Sequence, residues 1–274
     1  MRPSRRPLVV DAAGQLQLEQ GRPIRSDSGS VAVVVHWSDR PAVSRSAQTL
    51  LREFLDAGYA TAFVSAATCD EPLQFSDRDL VDGIAVYRRP NVGYDFGSWA
   101  SFLAQFPATR EASRVILAND SLLGPFASIR PVLDAFDACP TDIWGITGTT
   151  QDAAHVQSHM VGYKDGVLTE PALRRFWRGI RVESSKRDLI LRYEIGLSRL
   201  ALAEGYVLAA HFPWNWATSL GQNPTSAGWR RLIMHGFPFV KRELVLRPPP
   251  EVSDAHDVAD VIRQRWGQDV LEWV

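Results

Sequence analysis

Short apolar runs alternate along the chain with segments whose apolar residues recur at helical spacing. Residues 31–35 form a continuous β-branched run bounded by polar residues, which is typical of a strand buried on both faces. Apolar residues then recur at helical spacing over 47–55, and Gly58 follows as a stop signal. This strand-then-helix order predicts the first unit of a parallel sheet.

The same alternation continues to about residue 150. It predicts further strands at 60–66, 84–88, 115–118 and 142–146 and helices at 99–106 and 131–136. Strands that alternate with helices at this pace predict an α/β fold with a mostly parallel central sheet flanked by helices.

Beyond residue 150 the pattern changes. It predicts a hairpin around 164–166, a helix at 173–177, a longer helix at 186–204 and a loop at 213–224. Residues 1–30 are interpreted as an N-terminal lead-in with a small hairpin around Ala13-Gly14. The triple proline at 248–250 separates off a last helix, so 248–274 is interpreted as a C-terminal helical extension.

Composition narrows the range of partners. Thirty basic and 31 acidic residues give a net charge of -1, which argues against a nucleic-acid partner. The basic start at 1–7 lacks the apolar core of a signal peptide, and no stretch approaches the ~20 apolar residues that span a bilayer. We therefore expect a cytoplasmic protein whose Arg-rich start is a candidate contact with the inner face of the membrane. Cys69 and Cys139 lack metal-ligand spacing and are interpreted as structural.

Two polar strings follow predicted strands. Residues 91–99 read NVGYDFGSW after one strand, and residues 119–121 read NDS after another. Because ligands of open α/β sheets bind outside the carboxyl ends of the strands, two such strings on neighbouring strands would face one site. That geometry suits a nucleotide-linked substrate. The alternative is that these are ordinary turn residues, which the close spacing of Tyr94, Asp95 and Ser98 disfavours.

In the first string, Gly93 and Gly97 would let the backbone approach a ligand closely. The helix that starts there would favour phosphate at its N-terminus. Asp95 would repel phosphate, so a base, ribose or sugar hydroxyl is its predicted partner. His36, with Trp37 just after the first strand, is a candidate nucleobase contact.

In the second string, Asp120 is a candidate ligand for Mg²⁺ or Mn²⁺, because hard cations prefer oxygen ligands. Asn119 and Ser121 would add hydrogen bonds or water-mediated contacts. The alternative is that Asp120 only caps the turn before Gly124-Pro125.

Glu194 lies in an otherwise apolar helical stretch, where a carboxylate would act as general base if it reached an acceptor hydroxyl. A salt bridge to Arg192 or Arg199 is the alternative. Lys241 and Arg242 follow the apolar run 237–240 and would neutralise a diphosphate leaving group, unless they are a solvated pair. The other histidines lack ligand spacing and are interpreted as structural; among them are His155, His159, His211 and His235.

These motifs occur together in a known order. The chain resembles the rhamnan synthesis protein F family, glycosyltransferase-like proteins of bacterial polysaccharide assembly, over about 31–247. The resemblance is carried by Asn91-x-Gly93-x-Asp95-x-Gly97-Ser98-Trp99, Asn119-Asp120-Ser121-x-x-Gly124-Pro125, Tyr193-Glu194 and Gly236-x-Pro238-Phe239-x-Lys241-Arg242. It leaves the lead-in and the last helix outside.

The resemblance implies a GT-A-like domain with a Rossmann-type sheet. It also implies inverting transfer of a sugar, rhamnose or another deoxyhexose, from a nucleoside-diphosphate sugar to an oligosaccharide or lipid-linked glycan. Glu194 matches the base of such enzymes. Asp120 stands where they carry an Asp-x-Asp metal motif, with one carboxylate fewer, so dependence on Mg²⁺ or Mn²⁺ stays open. The candidate donor-binding residues are His36, Asn91, Gly93, Tyr94, Asp95, Ser98, Asn119, Ser121, Lys241 and Arg242.

Two other classes of function are alternatives to a glycosyltransferase. The missing carboxylate favours a catalytically silent subunit that binds a sugar nucleotide or glycan within a polysaccharide synthase. A nucleotide-cofactor oxidoreductase is disfavoured, because the first strand is followed by His36-Trp37-Ser38-Asp39 and not by a Gly-x-Gly-x-x-Gly turn.

Overall fold

The computed structural model of the chain describes residues 6–25 and 27–274. Its strands, in chain order, are β1 (Gln17–Gly21), β2 (Ser30–His36), β3 (Ala60–Ser65), β4 (Ala85–Arg88), β5 (Arg114–Asn119), β6 (Leu122–Leu123), β7 (Ile143–Thr149), β8 (His155–Val156), β9 (Met160–Lys164), β10 (Leu208–Phe212) and β11 (Val240–Lys241).

The helices, in chain order, are α1 (Val9–Ala12), α2 (Arg45–Asp56), α3 (Arg78–Gly83), α4 (Tyr94–Gln105), α5 (Arg130–Ala138), α6 (Pro171–Arg178), α7 (Lys186–Leu189), α8 (Ile195–Glu204), α9 (Trp229–Met234), α10 (Arg242–Leu246) and α11 (Val258–Trp266). A π-helical turn, Ile190–Glu194, joins α7 to α8. Short 3₁₀ turns are Pro107–Glu111, Val167–Thr169, Trp214–Trp216, Ala255–Asp257 and Val270–Trp273.

The central sheet has the order β1-β4-β3-β2-β5-β9-β7-β10, with β8 paired to β7. The pairs β4-β3, β3-β2, β2-β5 and β7-β10 are parallel. Strands β1 and β9 run antiparallel to their neighbours. The predicted α/β class with a mostly parallel central sheet flanked by helices is confirmed.

Two apolar layers enclose the sheet, as the fully buried pattern of β2 requires. Val31, Val33 and Val35 belong to one layer, and Ala32 and Val34 belong to the other, because successive strand residues point to opposite faces. Helix α4 buries Phe96, Trp99 and Phe102 in the first layer, and α2 buries Leu50, Leu51 and Phe54 in the second. Each such side chain contributes roughly 1.5–3 kcal/mol on burial.

A third apolar cluster joins the C-terminal segment to the rest of the chain. It combines Phe126 and Trp229 with Ile262 and Trp273 from the end of the chain. The rings of Phe126 and Trp266 stack with centroids 5.4 Å apart. The segment after the triple proline therefore shares a core with the domain that it follows.

Two predicted hairpins are wrong. Around Ala13-Gly14 the chain forms α1 and then β1, which pairs with β4 at the edge of the sheet. Around 164–166 the turn exists, but β9 pairs with β5 and β7 inside the sheet, and a 3₁₀ turn follows. Strand β9 therefore pairs with two strands of the buried sheet and not with the segment that follows the turn.

No helix in the described part of the chain is long and apolar enough to cross a membrane. Of the Arg-rich start predicted to contact the membrane surface, residues 1–5 lie outside the described residues. Cys69 and Cys139 are free thiols.

Candidate active site

The two polar strings meet, although their strands are not neighbours. Strands β3 and β2 lie between β4 and β5, so the prediction that the strings follow neighbouring strands is wrong. Helix α4 starts after β4 and contacts both β3 and β2. Its first turn reaches the end of β5, where Nδ2 of Asn119 donates to Oδ2 of Asp95 at 3.0 Å.

The turn after β5 is held by Asn119. Oδ1 of Asn119 accepts from the main-chain N of Ser121 at 3.1 Å and from its Oγ at 2.5 Å. Oγ of Ser121 also lies 2.9 Å from Nδ1 of His159. The cap that the alternative interpretation gave to Asp120 is therefore made by Asn119.

Asp120 contacts a histidine through its carboxylate and an arginine through its main-chain oxygen. Its Oδ2 lies 3.9 Å from Nε2 of His36, and Nη2 of Arg242 donates to its main-chain oxygen at 3.4 Å. Burial raises the pKa of Asp120 to about 6, against the opposing effects of the Arg242 charge and the Trp37 N–H. Burial, with the nearby arginine charges, lowers the pKa of His36 to about 4, so His36 is neutral at pH 7.

The carboxylate of Asp95 is held by a single side chain of the described residues. Only Asn119 hydrogen-bonds to its carboxylate among residues 6–25 and 27–274, and that bond uses Oδ2. Burial raises the pKa of Asp95 to about 7, with added effects from the Asp120 and Glu194 charges and opposing ones from Lys186 and Asn119. The preceding Tyr94 has φ 54°, a left-handed conformation that costs a non-glycine residue roughly 1–2 kcal/mol.

Glu194 lies at the end of the π-helical turn, a local widening that is frequent at functional sites. Its Oε1 lies 3.2 Å from Nε2 of His155. Its Oε2 accepts from the main-chain N of Ser158 at 2.8 Å and also from the Ser158 hydroxyl. Arg192 instead lies 3.5 Å from Glu183, so the Arg192 salt bridge considered for Glu194 is not formed.

These contacts fix the charge of Glu194. Burial alone would raise its pKa, but hydrogen bonds from His155 and Ser158 outweigh burial and hold the pKa at about 2. Nδ1 of His155 faces the main-chain oxygen of Ala153 at 2.8 Å, so both imidazole nitrogens face acceptors. That arrangement holds the imidazole ring against the Glu194 carboxylate.

The histidines near 155–159 are therefore part of the site, which sequence reasoning missed. His155 contacts Glu194 and His159 contacts Ser121. Nε2 of His159 is buried without a partner among the described residues, and His159 lines a pocket with Asn119 and Asp120. The available signal was the polar run HVQSH directly before β9, at a strand end and without metal-ligand spacing.

Strand pairing brings the two predicted cations to the same turn. Strand β11 pairs antiparallel with β6, and the main-chain N of Arg242 donates to Ser121 O at 3.1 Å. Nζ of Lys241 lies 2.8 Å from Oε1 of Glu243 and donates to Oγ of Ser226 at 3.2 Å. The two residues are thus not a freely solvated pair, and Arg242 is the one that faces Asp120.

Other predicted donor-binding residues are either closely packed inside the protein or exposed on its surface. Ser98 is 2% exposed and accepts from Nη1 of Arg89 at 2.8 Å. A Cβ at Gly93 would lie 2.6 Å from Cγ2 of Val9, and a Cβ at Gly97 would lie 2.4 Å from Val92 O. Close packing therefore accounts for both glycines. Asn91 is exposed, and so are Tyr94 and Trp37, by 45% and 53%.

The turn after β5 offers a cation one carboxylate, that of Asp120. Within the described residues, no group of three His, Cys, Asp or Glu side chains could hold a metal ion. Oδ1 of Asn119 and Oγ of Ser121 are engaged in the turn, which leaves the Asp120 carboxylate as ligand. Mg²⁺ is commonly held by one or two carboxylates together with substrate phosphates and water, and one carboxylate is available here.

The sequence matches the family Rhamnan synthesis protein F over residues 61–270. The chain belongs to this family. The matched region confirms the resemblance and also includes α11, which the motifs left outside. Membership assigns the chain to a family of polysaccharide synthesis.

Two curated relatives show more distant similarity. Virulence protein VirA of Vibrio anguillarum is 25% identical over 206 residues, which cover 63% of this chain and 66% of that protein. The uncharacterized protein y4gN of Sinorhizobium fredii is 26% identical over 200 residues, covering 69% of this chain and 49% of that protein. The chain therefore spans just under two thirds of the first relative and about half of the second.

Two solved structures show weak overall similarity. A structure described as a nucleotide-diphospho-sugar transferase of Desulfovibrio desulfuricans has a TM-score of 0.38 and 11% identity, covering 86% of this chain and 98% of that one. The bifunctional glycosyltransferase WbbM in its apo form has a TM-score of 0.43 and 11% identity, covering 88% of this chain and 50% of that one.

Proposed function

We propose that this protein is a glycosyltransferase of polysaccharide synthesis that uses a nucleoside-diphosphate sugar. The observation that carries the proposal is the convergence of Asp95, Asn119, Asp120 and Arg242 at the carboxyl edge of a mostly parallel sheet. That edge is where ligands of open α/β sheets bind. Membership in a rhamnan synthesis family supports the glycan context.

The charges around Asp120 suit the diphosphate of the donor. Arg242, supported by Lys241, would neutralise the negative charge that develops on the leaving diphosphate, which is the electrostatic role with the largest effect on rate in many enzymes. Mg²⁺ or Mn²⁺, when bound through Asp120, would supply further positive charge at that position. His36 and the main-chain N–H of Trp37 lie next to Asp120, and His36 and the exposed Trp37 ring are the candidate contacts of the nucleobase.

The proposal also covers the sugar, the acceptor and the stereochemistry of the transfer. The sugar is rhamnose or another deoxyhexose, the acceptor is an oligosaccharide or lipid-linked glycan, and transfer inverts the anomeric centre. An inverting transfer needs a base on the acceptor side. Glu194, the base predicted from the sequence, has both oxygens engaged, so an acceptor hydroxyl would have to displace Ser158 or His155.

Release of nucleoside diphosphate from a panel of nucleoside-diphosphate sugars, with a glycan acceptor, tests the proposal. We expect turnover by the wild type and a loss of about 100-fold in kcat for Arg242→Ala, because one stabiliser of the transition-state charge is removed. Arg231→Ala, which changes an exposed arginine on α9, is the control and should keep full activity. Absence of release with every donor and either metal would refute the proposal.

A binding subunit without turnover is the alternative. It was favoured by the single carboxylate of the 119–121 string, but Asp95 brings a second carboxylate to the same site from α4. That geometry favours the enzyme. Tight donor binding with no release of nucleoside diphosphate would identify the binding subunit instead.

A further inference from the structure

We infer that Asp95 is the general base of the transfer, and that its free carboxylate oxygen takes the proton of the acceptor hydroxyl. The inference rests on the proposed glycosyltransferase function and replaces Glu194 in the role that the sequence gave it.

The three carboxylates of the site differ in what their oxygens contact. Glu194 uses both oxygens in hydrogen bonds to His155 and Ser158. The Asp120 carboxylate has no hydrogen bond from another side chain of the described residues; Arg242 donates to the Asp120 main-chain oxygen, on the side proposed for the diphosphate. Asp95 uses Oδ2 for Asn119, and its Oδ1 has no hydrogen-bond partner within the described part of the chain. Of the two carboxylates with an oxygen free for an acceptor hydroxyl, Asp95 is therefore the one that a side-chain hydrogen bond holds in place.

A chain of hydrogen bonds fixes the orientation of that carboxylate. Asn119 donates to Asp95, Ser121 donates to Asn119, and His159 contacts Ser121. A base that is itself held by a third group is typical of catalytic sites. The unpartnered Nε2 of His159, buried beside Asn119 and Asp120, is an independent sign that a polar ligand completes this region.

The transfer step needs only the donor, the acceptor and the side chains of this site. The acceptor O–H proton moves to Oδ1 of Asp95, and the acceptor oxygen bonds to the anomeric carbon of the donor. The bond from that carbon to the diphosphate oxygen breaks, and its electron pair leaves with the diphosphate, whose charge faces Arg242. The proton on Asp95 then passes to solvent. A pKa of about 7 for Asp95, raised by burial, suits proton transfer near neutral pH.

Asp95→Asn tests the assignment because asparagine keeps the shape and an oxygen that accepts from Asn119. We expect kcat to fall by about 100-fold or more, the usual contribution of a general base, while the donor Kd stays within about threefold. Asp79→Asn is the matched control, since Asp79 is the second residue of α3 as Asp95 is the second of α4, and it is exposed. This control should leave both constants unchanged.

Two further variants separate a base from a structural role. Formate should restore part of the activity of Asp95→Ala by acting as an external base, and it should not restore that of Asp120→Ala. Glu194→Gln should retain more activity than Asp95→Asn. The inference is overturned if the wild type transfers sugar while Asp95→Asn keeps more than about a tenth of kcat, or if formate restores nothing. A wild type that binds no donor would overturn the proposed function itself.

Discussion

Asp95 and Glu194 have very different proton affinities although they share one site. Burial acts to raise the pKa of both carboxyls, but the resulting pKa is about 7 for Asp95 and about 2 for Glu194. The difference follows from the partners. Glu194 accepts hydrogen bonds from Ser158 and contacts His155. Asp95 accepts one hydrogen bond from Asn119, and the negative charge of Asp120 raises its pKa further. Carboxylates separated in this way commonly take different roles in catalysis.

The raised pKa of Asp95 predicts a stability cost at neutral pH. Because its folded pKa of about 7 lies above its ordinary value of 3.8, the stability present below pH 3.8 is lost as pH rises through 7. Asp95→Asn should therefore be more stable than the wild type at pH 8, by a few kcal/mol, and equally stable near pH 4. Urea unfolding at both pH values measures the difference. An equal difference at the two pH values would contradict this origin.

Glu194 should show the reverse dependence. Its folded pKa of about 2 lies below its ordinary value of 4.5, so its contribution is present above pH 4.5 and is lost as pH falls towards 2. Glu194→Gln should destabilise the fold by roughly 3 kcal/mol at pH 7, since His155 loses its buried partner. Glu204→Gln, at the exposed end of α8, is the control for chemical denaturation. A cost for Glu194→Gln as small as the control's would show that the pair adds nothing.

At this scale the sequence could predict several of the carboxylates and cations that the fold brings together, but not their partners. Asn119 and Asp120 could be found because they lie at the end of an apolar strand, and Asp95 because it lies at the start of a helix. The contacts of Glu194 with His155 and Ser158 join residues 39 and 36 positions apart. Such long-range contacts follow from the packing of α8 against β8, which no local pattern specifies.

At the scale of elements, the start of α4 is shaped by α1. Gly93 and Gly205 both have φ 81°, but a Cβ at Gly93 would meet Val9 and one at Gly205 would meet nothing within 4 Å. Gly205→Ala should cost roughly 1–2 kcal/mol from backbone strain alone. Gly93→Ala should cost more, because Val9 must also move, and it should lower kcat by displacing Asp95.

Urea unfolding of both glycine variants, with kcat measured on the folded proteins, checks this comparison. Equal losses of stability would show that the contact between α1 and α4 contributes nothing.

Buried parallel strands could be predicted from sequence because their apolar runs are continuous, as in β2 and β5. The sequence pattern predicts a hairpin for β9 because its turn is genuine, with Asp165 and Gly166 both left-handed. Its partners β5 and β7 are nevertheless distant in sequence. Strand β10 was missed because four of its five residues are only half-buried, which gives no clear apolar period.

At the scale of the whole molecule, the C-terminal segment supports the site region. The main-chain oxygen of Trp273 accepts from Oγ of Ser46 at 2.6 Å, and that Oγ accepts from the N–H of Gly124 at 3.2 Å. Gly124 directly follows β6, so the end of the chain is linked to the strand pair that positions Arg242. The segment 248–274 is thus integrated in packing, although the triple proline suggested a separate extension.

Trp273→Ala should therefore destabilise the fold by about 3–5 kcal/mol, the usual cost of removing a buried aromatic side chain. Leu271→Ala lies in the same turn but is 65% exposed, whereas Trp273 is 4% exposed. The control should change stability by less than about 0.5 kcal/mol. Guanidinium unfolding of the two variants measures both values, and a similar cost for each would contradict the role of Trp273.

Donor binding tests the central claim most directly. A thermal-shift screen of nucleoside-diphosphate sugars, with and without Mg²⁺ or Mn²⁺, should raise the Tm of the wild type with at least one donor, since a ligand that binds only the folded state stabilises it. The shift should be much reduced in Arg242→Ala and unchanged in Arg231→Ala. No shift of the wild type with any donor, or an undiminished shift in Arg242→Ala, would contradict a sugar-nucleotide site at the carboxyl edge of this sheet.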